Sequence, residues 1–168
     1  QHANILAVLT DAIPADAQPA LMARVDSDST LTQATYYFRY YLDRAMKKAG
    51  WADRYVDRLQ PWHTMLDQGL TTFAEEPDPT RSDAHAWSSS PNYHFLETVL
   101  GIEPAEPGFR SVRIAPALGS LEWAEGSMPH PLGAIEVTLR RTGSGGVEGE
   151  VTLPEGLAGS FVWDGQTQ

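Results

Sequence analysis

The chain contains no cysteine. That excludes a disulfide framework, a zinc–thiolate centre and a cysteine nucleophile. Cations are scarce as well: 12 Lys and Arg stand against 22 Asp and Glu, a net charge of −10. Binding nucleic acid needs a basic face to meet the phosphates, so no nucleic-acid partner is expected. The same balance speaks against an anionic membrane surface. No apolar run approaches the roughly 20 residues of a helical membrane span, so no membrane partner is expected either. The apolar fraction is 42% and the charged fraction only 20%, a composition that can build a core over 168 residues. The opening Gln1-His2-Ala3-Asn4 lacks an initiator Met and a basic leader. Ile5-Leu6-Ala7-Val8-Leu9 already reads as helix interior, so the chain is expected to be a piece of something longer.

Glycine is nearly missing from the first part. Only Gly50 and Gly69 precede residue 100, and the other twelve follow from Gly101. Aromatic residues have the opposite bias, with eight of sixteen between Tyr36 and Trp62. A helical first part and a strand-and-turn second part account for both trends. No internal repeat is present.

The clearest helix is expected from about Leu31 to Ala49. Ala34, Tyr37, Phe38, Tyr41, Leu42, Ala45 and Met46 keep the i, i+3, i+4 spacing of one buried stripe. Asp28, Ser29 and Thr30 are N-cap candidates, Lys47 and Lys48 suit the C-terminal dipole, and Gly50 suits the residue after the cap. A second helix is expected over Ala52 to Gln68, ended by Gly69. Pro61 predicts a kink there or two short pieces. Together the two form an αα-hairpin. Residues 69–91 carry turn chemistry and read as a long loop, a class that is usually functional or disordered. Asn92 to Leu100 reads as another helix, closed by Gly101.

Beyond Pro107 the pattern changes to period two. Val112 and Ile114, then Leu121, Trp123 and Gly126, suggest short strands. Ala134, Ile135, Val137 and Leu139 alternate with Glu136, Thr138 and Arg140, Thr142-Gly143-Ser144-Gly145-Gly146 reads as a hairpin turn, and Val147 to Leu153 returns. Phe161 and Trp163 supply a last strand. Five or six short antiparallel strands suggest a sandwich.

Two constellations could carry chemistry. In Gly69-Leu70-Thr71-Thr72-Phe73-Ala74-Glu75-Glu76, two threonines and an apolar pair lead to a carboxylate just after a helix end. Glu75 there could act as a general base toward water; the same residues also fit a solvated acidic loop. In Ser82-Asp83-Ala84-His85-Ala86-Trp87, a polar ring stands beside a stacking surface, the pairing that sugars use. The competing reading is a helix cap, with His85 satisfied locally. The five histidines His2, His63, His85, His94 and His130 are scattered without HExxH spacing, so no metal is expected. No GxSxG elbow, phosphate-binding loop or GxGxxG is present, and no cofactor is expected.

These motifs, in their order along the chain, resemble the bacterial α-L-rhamnosidases, the family 78 glycoside hydrolases. Gly69 to Glu75 is similar to the family signature G-A-T-T-x-W-E. Thr35-Tyr36-Tyr37-Phe38 followed by Ala49-Gly50-Trp51-Ala52-Asp53 resembles the helix and turn before it, and Trp62-His63-Thr64-Met65 its W-x-x-M. Ser82 to Trp87 with Pro91-Asn92-Tyr93 resembles the next loop and helix. Leu100-Gly101-Ile102 and Pro107-Gly108-Phe109 resemble the exit from the barrel. Trp123-Ala124-Glu125-Gly126 and Pro129-His130-Pro131-Leu132-Gly133 resemble the C-terminal β-domain.

The resemblance implies an α+β chain: part of an (α/α)6 barrel over residues 1–104, then an antiparallel β-sandwich over 105–168. Twelve helices of about 11–12 residues with connections of about 4–6 need on the order of 190 residues, so only the end of the barrel fits. It also implies inverting hydrolysis of terminal α-L-rhamnose from a glycoside or polysaccharide. Glu75 would be the general base on water, with His85, Trp87 and Thr72 against the sugar. The general acid would lie in the missing part of the barrel, so the piece alone is expected to be inactive. Ala74 stands where the signature has an aromatic, and Glu76 adds a second acid, so the base position is open between Glu75 and Glu76. A non-catalytic carbohydrate-binding or structural module, or a six-hairpin glycosidase for another sugar, are the alternatives. Exposed barrel faces are expected to make the isolated piece self-associate, which sedimentation would show.

Overall fold

The computed structural model describes residues 1–167. The described chain divides into two compact units, residues 1–91 and the residues from 92 onward. The first is built on helices and the second mainly on strands, so the α+β reading holds.

In the first unit, α1 (His2–Leu9), α2 (Gln18–Ser27) and α3 (Tyr36–Lys48) meet around Ile5, Val8, Met22, Val25, Leu42, Ala45 and Met46. The helix expected from Leu31 begins only at Tyr36. The reason is local: the Asp28 carboxylate accepts hydrogen bonds from the Thr30 N–H at 3.0 Å and the Thr30 hydroxyl at 2.6 Å. That turn spends the supposed capping group on a reversal after α2. Thr35 takes the N-cap position instead. At the other end Gly50 adopts φ +82°, the left-handed conformation expected of it.

Residues 52–68 are not one kinked helix. Two 3₁₀ turns, Ala52–Arg54 and Val56–Arg58, precede α4 (Gln60–Asp67). Pro61 lies in the first turn of α4, where its missing N–H is no loss, so it starts a helix rather than bending one. The Trp62 side chain is buried, and its indole N–H donates to the Ser88 carbonyl at 2.7 Å. The Tyr36 hydroxyl donates to the Pro61 carbonyl at 2.8 Å. These bonds tie α3, α4 and the 3₁₀ turn Ala86–Ser88 into one wall.

The first unit also buries charge. Asp43 of α3 lies 3.6 Å from the Arg58 Nε, and Arg58 pairs with Asp26 of α2 as well. Burial lowers the pKa of Arg39 from its ordinary value, and Asp43 opposes that shift.

In the second unit, α5 (Ser90–His94), which begins just before the division, continues as a π-helical turn, Phe95–Val99. Gly101 follows with φ +70°, and a Cβ there would sit 2.1 Å from the Ala115 carbonyl carbon. Only glycine fits that approach. Trp123–His130, Gly133–Arg141 and Val147–Thr152 form an antiparallel meander. In the middle strand Ile135, Val137 and Leu139 are buried while Glu136, Thr138 and Arg140 are exposed, as the period-two pattern demands. The second sheet orders Ile102–Pro104, Ser111–Ile114, Ala158–Trp163 and Gln166–Thr167. Within it Ser111–Ile114 pairs parallel to Ala158–Trp163, with Ile114 opposite Phe161. The expectation of purely antiparallel strands is corrected at this one pair, which joins segments far apart in the chain and so needs no tight turn.

Candidate functional site

The expected loop over residues 69–91 contains a two-armed ribbon. Glu76–Pro77 pairs antiparallel with Thr80–Arg81, with Glu76 opposite Arg81. Below that short ladder three further links hold the arms together. The Glu75 N–H donates to the carbonyls of Arg81 at 3.0 Å and Ser82 at 3.2 Å. The His85 N–H donates to the Phe73 carbonyl at 2.6 Å. The Thr72 hydroxyl donates to the Asp83 carbonyl. Ser82 adopts φ +51°, a conformation uncommon outside glycine, where the return arm bends. His85 lies ten positions after Glu75 in sequence; the ribbon brings them to one cavity.

That cavity, of about 190 Å³, is lined by Thr35, Tyr37, Glu75, Glu76, His85 and Trp87. It is smaller than the about 300–1,000 Å³ of drug-sized sites, a scale that suits a single ring. Its aromatic wall is a pair: the Tyr37 and Trp87 rings stack with centroids 4.5 Å apart and planes 30° apart. Trp87 is 62% exposed, so most of its ring remains open for contact. His85 stands edge-on to Trp87 at 6.2 Å, and its Nδ1 is 3.3 Å from the Ser82 hydroxyl. The Tyr37 side chain is hydrogen-bonded to Tyr41, and that bond holds the Tyr41 hydroxyl above its ordinary pKa.

The acidic side of the cavity is asymmetric. Arg81 grips the Glu75 carboxylate with both arms of its guanidinium, Nε at 3.0 Å from Oε2 and Nη2 at 3.1 Å from Oε1. Its Nη1 lies 4.0 Å from the Glu76 carboxylate, outside hydrogen-bond reach. Glu75 is 29% exposed and Glu76 51%. A carboxylate has about four lone-pair positions. The fork uses one on each oxygen, so Glu75 keeps lone pairs for a further donor such as a water.

Three of the four residues singled out from the sequence therefore meet: Glu75, His85 and Trp87 line one cavity. Thr72 does not line it, because its hydroxyl is used to close the ribbon. Two wall residues were not singled out. Tyr37 was read as part of the buried stripe of α3, yet it is 37% exposed and faces Trp87. Thr35 is the N-cap of α3 but makes no side-chain capping bond, and it lines the cavity instead. The one signal for Tyr37 was the excess of aromatics in α3 over what a narrow stripe needs. Among the described residues no group of three or more His, Asp or Glu is placed to hold a metal ion.

Residues 101–162 match the bacterial alpha-L-rhamnosidase C-terminal domain family. A curated alpha-L-rhamnosidase of Alteromonas sp. (strain LOR) is 30% identical over 183 residues, covering 96% of this chain and 20% of that protein. The solved GH78 family rhamnosidase of Bacillus sp. GL1 superposes with a TM-score of 0.85 at 26% identity. That superposition covers 95% of this chain and 18% of the Bacillus chain. This chain is similar to the C-terminal portion of the family 78 α-L-rhamnosidases.

The native alpha-L-rhamnosidase from Aspergillus terreus shares the fold, with a TM-score of 0.79 at 20% identity over 97% of this chain and 21% of that one. The chain spans about one fifth of the length of the rhamnosidases it matches. The family match falls in the strand-rich part. The cavity lies upstream of it, in residues that only the longer rhamnosidase likenesses cover.

Proposed function

We propose that this chain is the C-terminal part of an inverting glycoside hydrolase that removes terminal α-L-rhamnose from glycosides or polysaccharides. The observation that carries the reading is the cavity in which a gripped carboxylate, Glu75, faces an open aromatic wall with an imidazole beside it. The names of the similar proteins supply the sugar.

In this mechanism Glu75 takes a proton from water as that water attacks the anomeric carbon. The bond to the leaving oxygen breaks on the opposite face, where a carboxylic acid from the earlier part of the barrel donates a proton. Inversion needs the two carboxyl groups roughly 6.5–9.5 Å apart, so that the water fits between sugar and base. Trp87 and Tyr37 offer the apolar C–H faces of the ring a surface, and His85 offers the hydroxyls a hydrogen-bonding partner. Thr72 serves the site by holding the ribbon. Self-association of the isolated chain through exposed side chains such as Leu6 and Leu66 belongs to the same reading, since both would meet more barrel.

The test is release of p-nitrophenol from the aryl α-L-rhamnoside. The full-length enzyme should turn over, Glu75→Gln should lower kcat by at least about a hundredfold, and the 168-residue chain alone should release nothing. Full activity in Glu75→Gln would refute the assignment of the base. Release by the isolated chain that depends on Glu75 would refute the need for upstream residues. Rhamnose binding to the full-length protein with no hydrolysis would favour a binding module.

A further inference from the structure

We infer that Arg81 is a positioning residue for the reaction, holding Glu75 in the base position and thereby choosing it over Glu76; the inference rests on the proposed function. Arg81 holds Glu75 at two points. Its carbonyl accepts the Glu75 N–H at 3.0 Å, and its guanidinium takes both carboxylate oxygens at 3.0 and 3.1 Å. Main chain and side chain of one residue thus fix main chain and side chain of the other.

The pairing is not what the ribbon alone would produce. Arg81 stands directly opposite Glu76 in the short ladder. Cross-strand neighbours share a face, so the default ion pair would be Arg81 with Glu76. The fork goes instead to Glu75, one residue away, and stays 4.0 Å from Glu76. A planar, two-armed clamp removes the rotation of the carboxylate that a single contact leaves free. A general base profits from that directly. Attack needs the water and the anomeric carbon aligned, and a misplacement of about 1 Å can slow a step about a hundredfold. Lysine carries the same charge but reaches a carboxylate as a point donor, so it restores the charge without the fork. Arg81 is 65% exposed, so its removal leaves the packing of the first unit intact.

The experiment uses the full-length enzyme and the aryl α-L-rhamnoside, comparing R81M, R81K, E75Q, E76Q and the E75Q/R81M double variant. R81M should lose about tenfold to a hundredfold in kcat with KM within about twofold, and R81K should recover part of the loss. E76Q should lower kcat far less than E75Q, and an E76Q loss as large as that of E75Q would overturn the choice of Glu75 over Glu76. In the E75Q background R81M should cost nothing further, because a residue acting only through Glu75 has nothing left to position. R81M with wild-type kcat, alongside an inactive E75Q, would overturn the inference and leave the proposed function standing. An equal loss from R81M in both backgrounds, or a rise in KM alone, would also overturn it. Full activity in E75Q would instead overturn the assignment of Glu75 as the base, on which the inference rests.

Discussion

Trp62→Phe tests whether the wall behind the cavity is built as described. Trp62 is 7% exposed, and its indole N–H is 2.7 Å from the Ser88 carbonyl, in a buried bond 26 residues long in sequence. Phenylalanine keeps the aromatic contact to Tyr36, whose ring lies 5.6 Å away, but has no donor. The Ser88 carbonyl then loses its buried partner, which costs about 1–3 kcal/mol. The smaller ring leaves a void worth about 1 kcal/mol more. We expect a loss of about 2–4 kcal/mol in urea unfolding of the helical unit, followed by far-UV circular dichroism so that the missing indole does not bias the signal. Trp87→Phe is the control. That ring is 62% exposed, so its change should stay within about 0.5 kcal/mol. Equal effects at the two tryptophans, or less than about 0.5 kcal/mol at Trp62, would refute the reasoning.

Two further outcomes follow from the packing. Burial, with a smaller contribution from Asp43, raises the Tyr55 pKa far above its ordinary value. The proton is therefore kept by the fold and lost by the unfolded chain above pH about 10, and stability should fall there by about 1.4 kcal/mol per pH unit. Below that pH both states are protonated and the contribution is complete. Tyr36, raised by burial too, acts in the same sense. Tyr55→Phe should flatten the alkaline slope of chemical denaturation, and an unchanged slope would count against the burial argument. Gly101→Ala should destabilise the strand-rich unit by about 2 kcal/mol or more, since the backbone is at φ +70° and the new methyl would overlap the Ala115 carbonyl. Unfolding at the wild-type urea midpoint would disprove that contact.

Much of the architecture is legible in the sequence. The stripe of α3, the change to period two after Pro107 and the glycines at 50, 69 and 101 are local signals, and each element they announce is present. The errors were at boundaries. Asp28 looked like a helix cap because aspartate caps helices and closes turns with the same carboxylate, and only the position of Thr30 shows which was made. Pro61 announces a kink or two short pieces; the segment does break into short pieces, but those before Pro61 are 3₁₀ turns and Pro61 opens the helix that follows. Tyr37 was hidden for a different reason. A helical stripe does not distinguish an aromatic facing the core from one facing a partner fifty positions later.

By itself the chain of residues determined the kinds of element, their order, and the acids and rings available for chemistry, because propensity and periodicity act over a few neighbours. Tertiary structure alone decided which of those groups meet. It stacked Trp87 on Tyr37, ran Ser111–Ile114 parallel to Ala158–Trp163, and aimed the two-armed fork of Arg81 at Glu75, leaving the Glu76 opposite it a single contact at 4.0 Å. Such pairings join distant segments, and their energies depend on burial and geometry that no local window of sequence contains.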